Sequence, residues 1–589
     1  MPEYKTSRVQ EQSHFKTHDD VDLFYRHWPS TSEVRRGAIV FVHRGHEHSG
    51  RMAHLVDELD LPYFSFFGWD ARGHGRSPGE RGDSPSIGTS VRDIQTFIEH
   101  LRTEHGIEQE NVFVVAQSVG AVLTATWAHD YAPKIRGMVL ASPAFKVKLY
   151  VPLARPGLQL MRAFRGNFYV QSYVKGKYLT HDPERVASFE TDELITRAIS
   201  VNILLGLYQA AERIVADAQA ITVPTQLLIS GADWVVHHGP QHDFYVRLGT
   251  PVKERHVLPG FYHDTLGERD RAKAVALVRG FVLDRFNEPL SRPSLSGADK
   301  LGFTRQEADE LATPLPALSL RGLYWAATRT SLWLGGLLST GIKLGHETGF
   351  DSGSTLDYVY RNEPTGKTAV GRLIDKSYLE SIGWRGIRQR KVHAEELIRG
   401  AMARLREAGQ PVRLMDIAAG HGRYVLESLQ DGDLRPTSIL LRDYSDMNVQ
   451  QGNALIAEKG LQEIAQFVKG DAFDEEDLSA IEPAPTLGIV SGLYELFGDN
   501  DLIRASLAGL AKAIPVGGYL IYTVQPWHPQ LELIARALTS HRQGQAWVMR
   551  RRTQAEMDEL VELAGFRKVD QRIDEWGIFT VSLAQRMDE

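Results

Sequence analysis

Ser118, Asp233 and His263 are the side chains whose types and order most directly imply covalent chemistry. A serine hydroxyl is a weak nucleophile at neutral pH, so a histidine must take its proton as it attacks and a carboxylate must orient and stabilise that imidazole. Ser118 is the centre of Ala116-Gln117-Ser118-Val119-Gly120, Asp233 follows Gly231-Ala232, and His263 closes Gly260-Phe261-Tyr262-His263. The other half of the chain carries residues of a different kind. Asp416 leads into Ile417-Ala418-Ala419-Gly420-His421-Gly422, and a further acid, Asp443, comes about twenty residues later. Residues with little or no side chain let a backbone approach a ligand closely, and the second acid suits ribose hydroxyls.

The elements that must position these groups follow from local patterns. Asn111-Val112-Phe113-Val114-Val115 reads as a buried strand and Ala121 to His129 as a helix start, which puts Ser118 on a strand-to-helix turn. Thr225 to Ser230 and Arg255 to Pro259 read as strands whose ends carry Asp233 and His263. In the second half Val412 to Asp416 and Ser438 to Asp443 read as strands, with a helix from Tyr424 to Leu429 after the glycine turn.

Two loops extend the first group. With His43-Arg44-Gly45-His46-Glu47-His48-Ser49-Gly50-Arg51 and Asp70-Ala71-Arg72-Gly73-His74-Gly75-Arg76-Ser77, the chain from about residue 10 to 287 resembles the monoacylglycerol lipase and lysophospholipase group of α/β-hydrolases. The resemblance implies a catalytic triad of Ser118, Asp233 and His263 and an oxyanion hole of the Gly45 and Val119 N–H groups, donors on the order of 3 kcal/mol each. It also implies esters of the monoacylglycerol or lysophospholipid kind as substrates. Arg44, His46 and Ala116 stand where the family usually has glycine. Arg44 is expected either to pair with a substrate phosphate or to point outward into solvent. A metal reading of His43, His46 and His48 fails for want of a recognisable ligand spacing. Residues about 145–222 are expected to form a helical cap, with Tyr150 to Met161 as a lid.

Val468-Lys469-Gly470-Asp471-Ala472-Phe473, a strand at Thr486 to Ser491, Gly517 to Val524, and Leu560 to Phe566 with Ile578 to Leu583 complete the second pattern. Residues 345–589 resemble a class I S-adenosylmethionine-dependent methyltransferase, although Ala418 stands where that family often has glycine. S-adenosyl-L-methionine is the cofactor that the resemblance implies, as methyl donor. Asp416, Gly420 and Gly422 would flank its methionine part, Asp443 its ribose, and Asp471 and Ala472 its adenine. The acceptor face is expected at Ser491 to Glu495 and Gln525 to His528, with Tyr494 and His528 as acid or base groups. An Asn/Asp-Pro-Pro-Tyr segment is absent and the chain has no cysteine, which argues against DNA-amino and cytosine-C5 methylation. A net charge of −7 gives no basic footprint for nucleic acid. A small molecule or lipid is the favoured acceptor.

The expected architecture is α/β throughout: an α/β-hydrolase fold with a helical cap over residues 1–287, a linker and apolar helix over 288–344, and a Rossmann-like class I methyltransferase fold over 345–589. Asn287 to Gly297 has linker composition, and Thr304-Arg305-Gln306-Glu307 offers a capping box. Leu320 to Leu344 is apolar but its uncharged part is too short to span a bilayer, which leaves an interfacial helix on a membrane or a packed helix. Residues from Gly349 to Arg390 are expected to form a lid on the methyltransferase. Gly366-Lys367-Thr368 lacks the glycine and leading strand of a phosphate loop. Without cysteines or an apolar leader, a cytoplasmic protein is expected, at most peripheral on the inner membrane face. The function expected is a bifunctional serine hydrolase and methyltransferase. The alternative is a thioesterase or peptidase regulated by an inactive cofactor-binding or partner-binding second domain.

Overall fold

The computed structural model describes residues 4–429, 435–542 and 544–588. The chain divides after Pro293 into two compact units. In the first, the strands are β1 (Glu11–Lys16), β2 (Asp22–Trp28), β3 (Gly37–Val42), β4 (Phe64–Trp69), β5 (Val112–Gln117), β6 (Gly137–Ala141), β7 (Tyr169–Gln171), β8 (Ala198–Ser200), β9 (Thr225–Ser230) and β10 (Lys253–Leu258). Among the described residues these form an eight-stranded sheet in the order β1-β2-β4-β3-β5-β6-β9-β10, with β7 and β8 paired apart as a ribbon. Antiparallel pairing within the sheet is confined to β1, β2 and β4, and the rest is parallel.

Every residue of β3, β4, β5, β6 and β9 is buried. Runs such as Phe113-Val114-Val115 and Leu227-Leu228-Ile229 are continuous rather than alternating because helices cover both faces of a parallel sheet. The helix Ala272–Asn287 places Ala274, Val275, Val278, Phe281 and Val282, at helical spacing, in one core with Phe113, Val139 and Leu228. Between β6 and β9 lie the helices Ala154–Arg165, Pro183–Thr191 and Val201–Ala216, so the cap is helical with the short β7-β8 ribbon inserted. The helix Ala154–Arg165 buries none of its residues, leaving Leu160, Met161 and Phe164 exposed.

The strands of the second unit are β11 (Arg413–Asp416), β12 (Ser438–Asp443), β13 (Ala465–Lys469), β14 (Leu487–Val490), β15 (Tyr519–Val524), β16 (Phe566–Ile573) and β17 (Thr580–Arg586). Among the described residues they make a seven-stranded sheet in the order β13-β12-β11-β14-β15-β17-β16. The first five are parallel, and β17 runs antiparallel to both β15 and β16. The strand order reverses beside β11, which makes this a Rossmann-like sheet with its topological switch point between β11 and β14. The helix Ile382–Glu407 lies on it through Ala394, Leu397, Ile398, Ala401 and Leu405.

Two local expectations give way here. Thr304 caps nothing. It lies inside the helix Phe303–Ala312, whose N-cap is Gly302, because its buried hydroxyl accepts a bond from Arg550 while Glu307 pairs with Arg551. The apolar stretch becomes the helix Leu320–Gly336, which packs one side against the helix Leu531–Ala537: Trp325 Nε1 donates to Glu532 at 3.0 Å and Arg329 to the Arg536 carbonyl at 2.9 Å. Leu320, Leu323, Tyr324 and Leu334 are exposed on its other side, and Trp333 is exposed beside Arg329. Among the described residues no helix is long and apolar enough to cross a membrane.

Candidate functional site

Ser118 follows β5 directly and has φ 56° and ψ −117°, a conformation that lifts its side chain off the strand end. The turn works because residue 120 is glycine: a Cβ there would sit 2.4 Å from the His43 carbonyl oxygen, so the helix Val119–Tyr131 starts hard against the loop after β3. His263 Nε2 lies 2.8 Å from Ser118 Oγ, and His263 Nδ1 lies 2.8 Å from Asp233 Oδ2. The other Asp233 oxygen accepts the Val235 and Val236 N–H groups at 2.7 and 3.0 Å. Burial pushes the Asp233 carboxyl up, but His263 and those N–H groups more than offset it and the net pKa is lowered. The acid is thus held as a carboxylate, the state that orients an imidazole. Gly45 and Val119 border a common cavity of about 70 Å³ walled by Trp69, Ile87, Leu123 and Ile203.

Arg44 departs from one of the two readings made of it, the outward-pointing one. It is buried rather than solvated. Its Nε donates to Glu47 at 2.9 Å, its Nη2 also binds Glu47, and Asp264 lies 3.8 Å from it. Glu47 also takes Arg51, and Asp264 takes Arg185 from the cap helix. Arg44 Nη1 keeps no partner, and the residue lines the same cavity as Gly45 and Val119. The network ties the loop carrying Gly45 to the residue after His263. His43 is likewise structural: Nδ1 donates to the Arg44 carbonyl at 2.6 Å and Nε2 accepts the Ala71 N–H at 3.0 Å.

In the second unit the ends of β11, β12 and β13 meet at one edge of the sheet. Gly420 and Gly422 have φ of 58° and 74°, and a Cβ on Gly422 would strike Leu441 at 2.4 Å. Asp416 faces inward: its oxygens accept the Ala418 N–H at 3.1 Å and the Tyr424 hydroxyl. Burial, with a smaller contribution from Asp443, outweighs those bonds and raises its pKa to about 7. It shapes the turn. Asp443 accepts the Gly420 N–H at 2.9 Å, the Ser445 N–H at 2.9 Å and the Asn448 amide at 3.0 Å, which uses three of the roughly four acceptor positions a carboxylate has. Asn448 Oδ1, buried beside it, has no partner. Asp471 is exposed and accepts the Phe473 N–H, while Ala472 is buried next to it. Unmet acceptors beside a positive-φ glycine turn at a switch point fit the hydroxyl donors of a nucleoside, so these residues suit an adenosyl group.

Beyond the neighbouring strand ends lies a larger cavity of about 390 Å³, reached by Gly492 and Glu495 after β14 and by Gln525 and His528 after β15. His528 is there as expected. Its Nδ1 accepts the Gln530 N–H at 3.0 Å, and burial lowers its pKa to about 4, so the ring is neutral with its proton on Nε2. Tyr494 is not: it belongs to the core, its hydroxyl 2.8 Å from Ser506, and its neighbour Glu495 faces the cavity instead. Arg390 was missed. The signal was a charge on the buried stripe Trp384, Ile387, Ala394 and Leu397 of its helix, where an apolar residue belongs.

With the two sites described, comparison with known proteins places the chain. The family model described as "Putative methyltransferase" matches residues 278–586, more than half of the 589 residues, and the chain belongs to that family. A model described as serine aminopeptidase matches residues 33–270. The Escherichia coli protein titled "Uncharacterized protein YnbC" is 57% identical over 584 residues, covering 99% of this chain and 100% of that one. Human monoglyceride lipase is 29% identical over 280 residues, 45% of this chain and 89% of the lipase. The monoacylglycerol lipase of Mycolicibacterium smegmatis is 23% identical over 270 residues, 45% of this chain and 93% of that enzyme. The first unit is a serine hydrolase domain similar to monoglyceride lipases, and the second a methyltransferase-family domain.

Proposed function

We propose that the protein is a bifunctional enzyme: a hydrolase of monoacylglycerol-type esters joined to an S-adenosylmethionine-dependent methyltransferase acting on a small molecule or lipid. The observation that carries the first half is the unbroken relay Ser118–His263–Asp233 at 2.8 and 2.8 Å. Ser118 Oγ attacks the acyl carbonyl as His263 Nε2 takes its proton. The N–H groups of Gly45 and Val119 hold the oxyanion, His263 returns the proton to the departing alcohol, and water clears the acyl-enzyme by the same relay.

In the second unit Gly420, Gly422, Asp443, Asp471 and Ala472 would hold S-adenosylmethionine, with Asp416 bracing the turn from behind. Bound there, that molecule supplies an electrophilic methyl group. The chain's own part is to bind the acceptor, to orient it and to keep water from the strand-end cavity. The exposed apolar side of the helix Leu320–Gly336 supports a third element of the proposal, contact with a membrane surface.

The test incubates a bacterial lipid extract with the protein and deuterium-methyl S-adenosylmethionine, with Ser118→Ala and Gly422→Val controls. Loss of an acylglycerol that requires Ser118, and label entering a product only when Gly422 is intact, is the expected result. Aminoacyl anilides cleaved faster than monoacylglycerols would replace the ester reading with a peptidase. Calorimetry that finds no binding of S-adenosylmethionine would reduce the second unit to a binding or regulatory domain.

A further inference from the structure

The strand-end cavity of the second unit is apolar over most of its wall, where Leu332, Ile342, Ile374, Trp384, Ile387 and Phe579 contribute. At about 390 Å³ it falls within the range of small-molecule sites. What distinguishes it is a set of polar atoms that the fold buries and leaves without partners: Tyr378 Oη, Arg390 Nε, Glu495 Oε2, Gln525 Nε2 and Trp547 Nε1. All five residues line the cavity. Arg390, Glu495 and Gln525 are only 3%, 7% and 4% exposed, so bulk water does not satisfy them. An unmet buried polar atom costs on the order of 1–3 kcal/mol. Five around one cavity are explained by a ligand that supplies missing bonds.

Their chemistry defines that ligand. Glu495 Oε1 is taken by the Thr523 hydroxyl at 2.7 Å, and Oε2 calls for a donor. Gln525 Nε2, Trp547 Nε1 and Arg390 Nε call for acceptors. The charges cancel within the site, since Arg390 Nη1 lies 3.7 Å from Glu495. Glycine at 492 makes room for this arrangement, as a Cβ there would be 2.9 Å from Arg390 Nη2. A charged head group would leave one charge of the pair uncompensated in a buried site, which is expensive. A neutral group that both donates and accepts, a hydroxyl, meets Glu495 and Gln525 together without disturbing the balance.

We propose that this cavity is the acceptor site of the second unit and that it takes an uncharged, predominantly apolar alcohol or phenol, its hydroxyl set between Glu495 and Gln525. The purpose of the site rests on the methyltransferase reading above, but the class of molecule bound does not. Arg390 and His528 act as positioning residues, the first set beside Glu495 and the second offering a further N–H.

The experiment is isothermal titration of the full-length protein, without S-adenosylmethionine, with 4-butylphenol, butylbenzene and 4-butylbenzoate. The phenol is expected to bind at least about tenfold more tightly than the other two, the worth of one well-made buried hydrogen bond. Gln525→Leu should erase the advantage of the phenol over butylbenzene. Ile387→Trp and Leu332→Trp, which fill the wall from two elements, should each abolish binding of all three probes while thermal unfolding and Ser118-dependent ester hydrolysis persist. Equal binding of phenol and butylbenzene, tightest binding of the benzoate, or binding that survives both wall variants would overturn the proposal. Titration with S-adenosylmethionine is a separate measurement. The phenol pattern without it would sink the methyltransferase reading and spare the ligand class, and its binding without the phenol pattern would do the reverse.

Discussion

The relay of the first unit and the cavity of the second treat their polar atoms in opposite ways. Ser118, His263 and Asp233 are bonded to one another and to backbone N–H groups, so the nucleophile is already oriented. Around the larger cavity, Arg390, Glu495, Gln525 and Trp547 each keep an atom unpaired. A unit that attacks with its own side chain gains from pre-assembly, because no reorganisation is then needed at the moment of reaction. On the proposed reading the second unit holds two foreign molecules together, and such a unit has to leave bonds for them to complete. The difference is visible in volume too, about 70 Å³ in the cavity that Gly45 and Val119 border against about 390 Å³ at the second site.

The sharpest way to break this comparison is at the serine. Ser118→Ala is expected to lower kcat on a short-chain monoacylglycerol by on the order of 10⁶, and Asp233→Asn by about 10⁴, since the two members of a relay contribute unequally. Both variants should bind 4-butylphenol as the unaltered protein does. Steady-state kinetics beside titration reads both quantities. A loss in Ser118→Ala of less than about tenfold would mean that the assembled relay is not what performs hydrolysis.

Asp416 gives a smaller effect that sharpens the contrast from the other side. Its folded pKa, raised to about 7, lies above the unfolded value of about 3.9. Between those values the folded chain keeps a proton that the unfolded chain releases. Stability from this group is therefore fully present below about pH 4, declines as pH rises, and is lost above about pH 7. Asp416→Asn cannot titrate, so the stability difference between it and the unaltered protein should shift by a few kcal/mol, roughly 2–4, in favour of the variant between pH 5 and 8. Urea unfolding at the two pH values measures it. A difference independent of pH would show that Asp416 is ionised across the window.

What the sequence disclosed depended on whether backbone or packing sets the position. Ser118 and Gly120 were legible because a strained turn and a 2.4 Å approach admit few residue types, and that restriction is written into a pentapeptide. The parallel strands were legible for a similar reason, since runs such as Phe113-Val114-Val115 bury both faces. Arg44 was misread because its partners, Glu47 and Asp264, come together only in the folded chain. Tyr494 and Glu495 show the same limit at its smallest scale: adjacent residues point to the core and to the cavity, and no periodicity in a loop tells them apart. Thr304 had the residues of a capping box, and a buried arginine on a distant segment claimed its hydroxyl.

The least of the expected effects concerns the helix Leu320–Gly336, which divides its two sides between the protein and solvent. Trp325 is anchored on Glu532, and Leu332 lines the large cavity. Trp333 and Leu334, next to Leu332 in sequence, are 59% and 52% exposed. An apolar side of this size on a helix that also borders an apolar cavity is suited to rest in a lipid surface, where an alcohol of the proposed kind would be concentrated. Trp333→Glu puts a charge among those exposed apolar residues and should lower the fraction of protein that floats with anionic liposomes roughly fivefold, while hydrolysis of a soluble ester and binding of 4-butylphenol are unchanged. Equal flotation of the two proteins would mean that the exposed side of this helix does not meet the membrane, and that the cavity draws its ligand from solution.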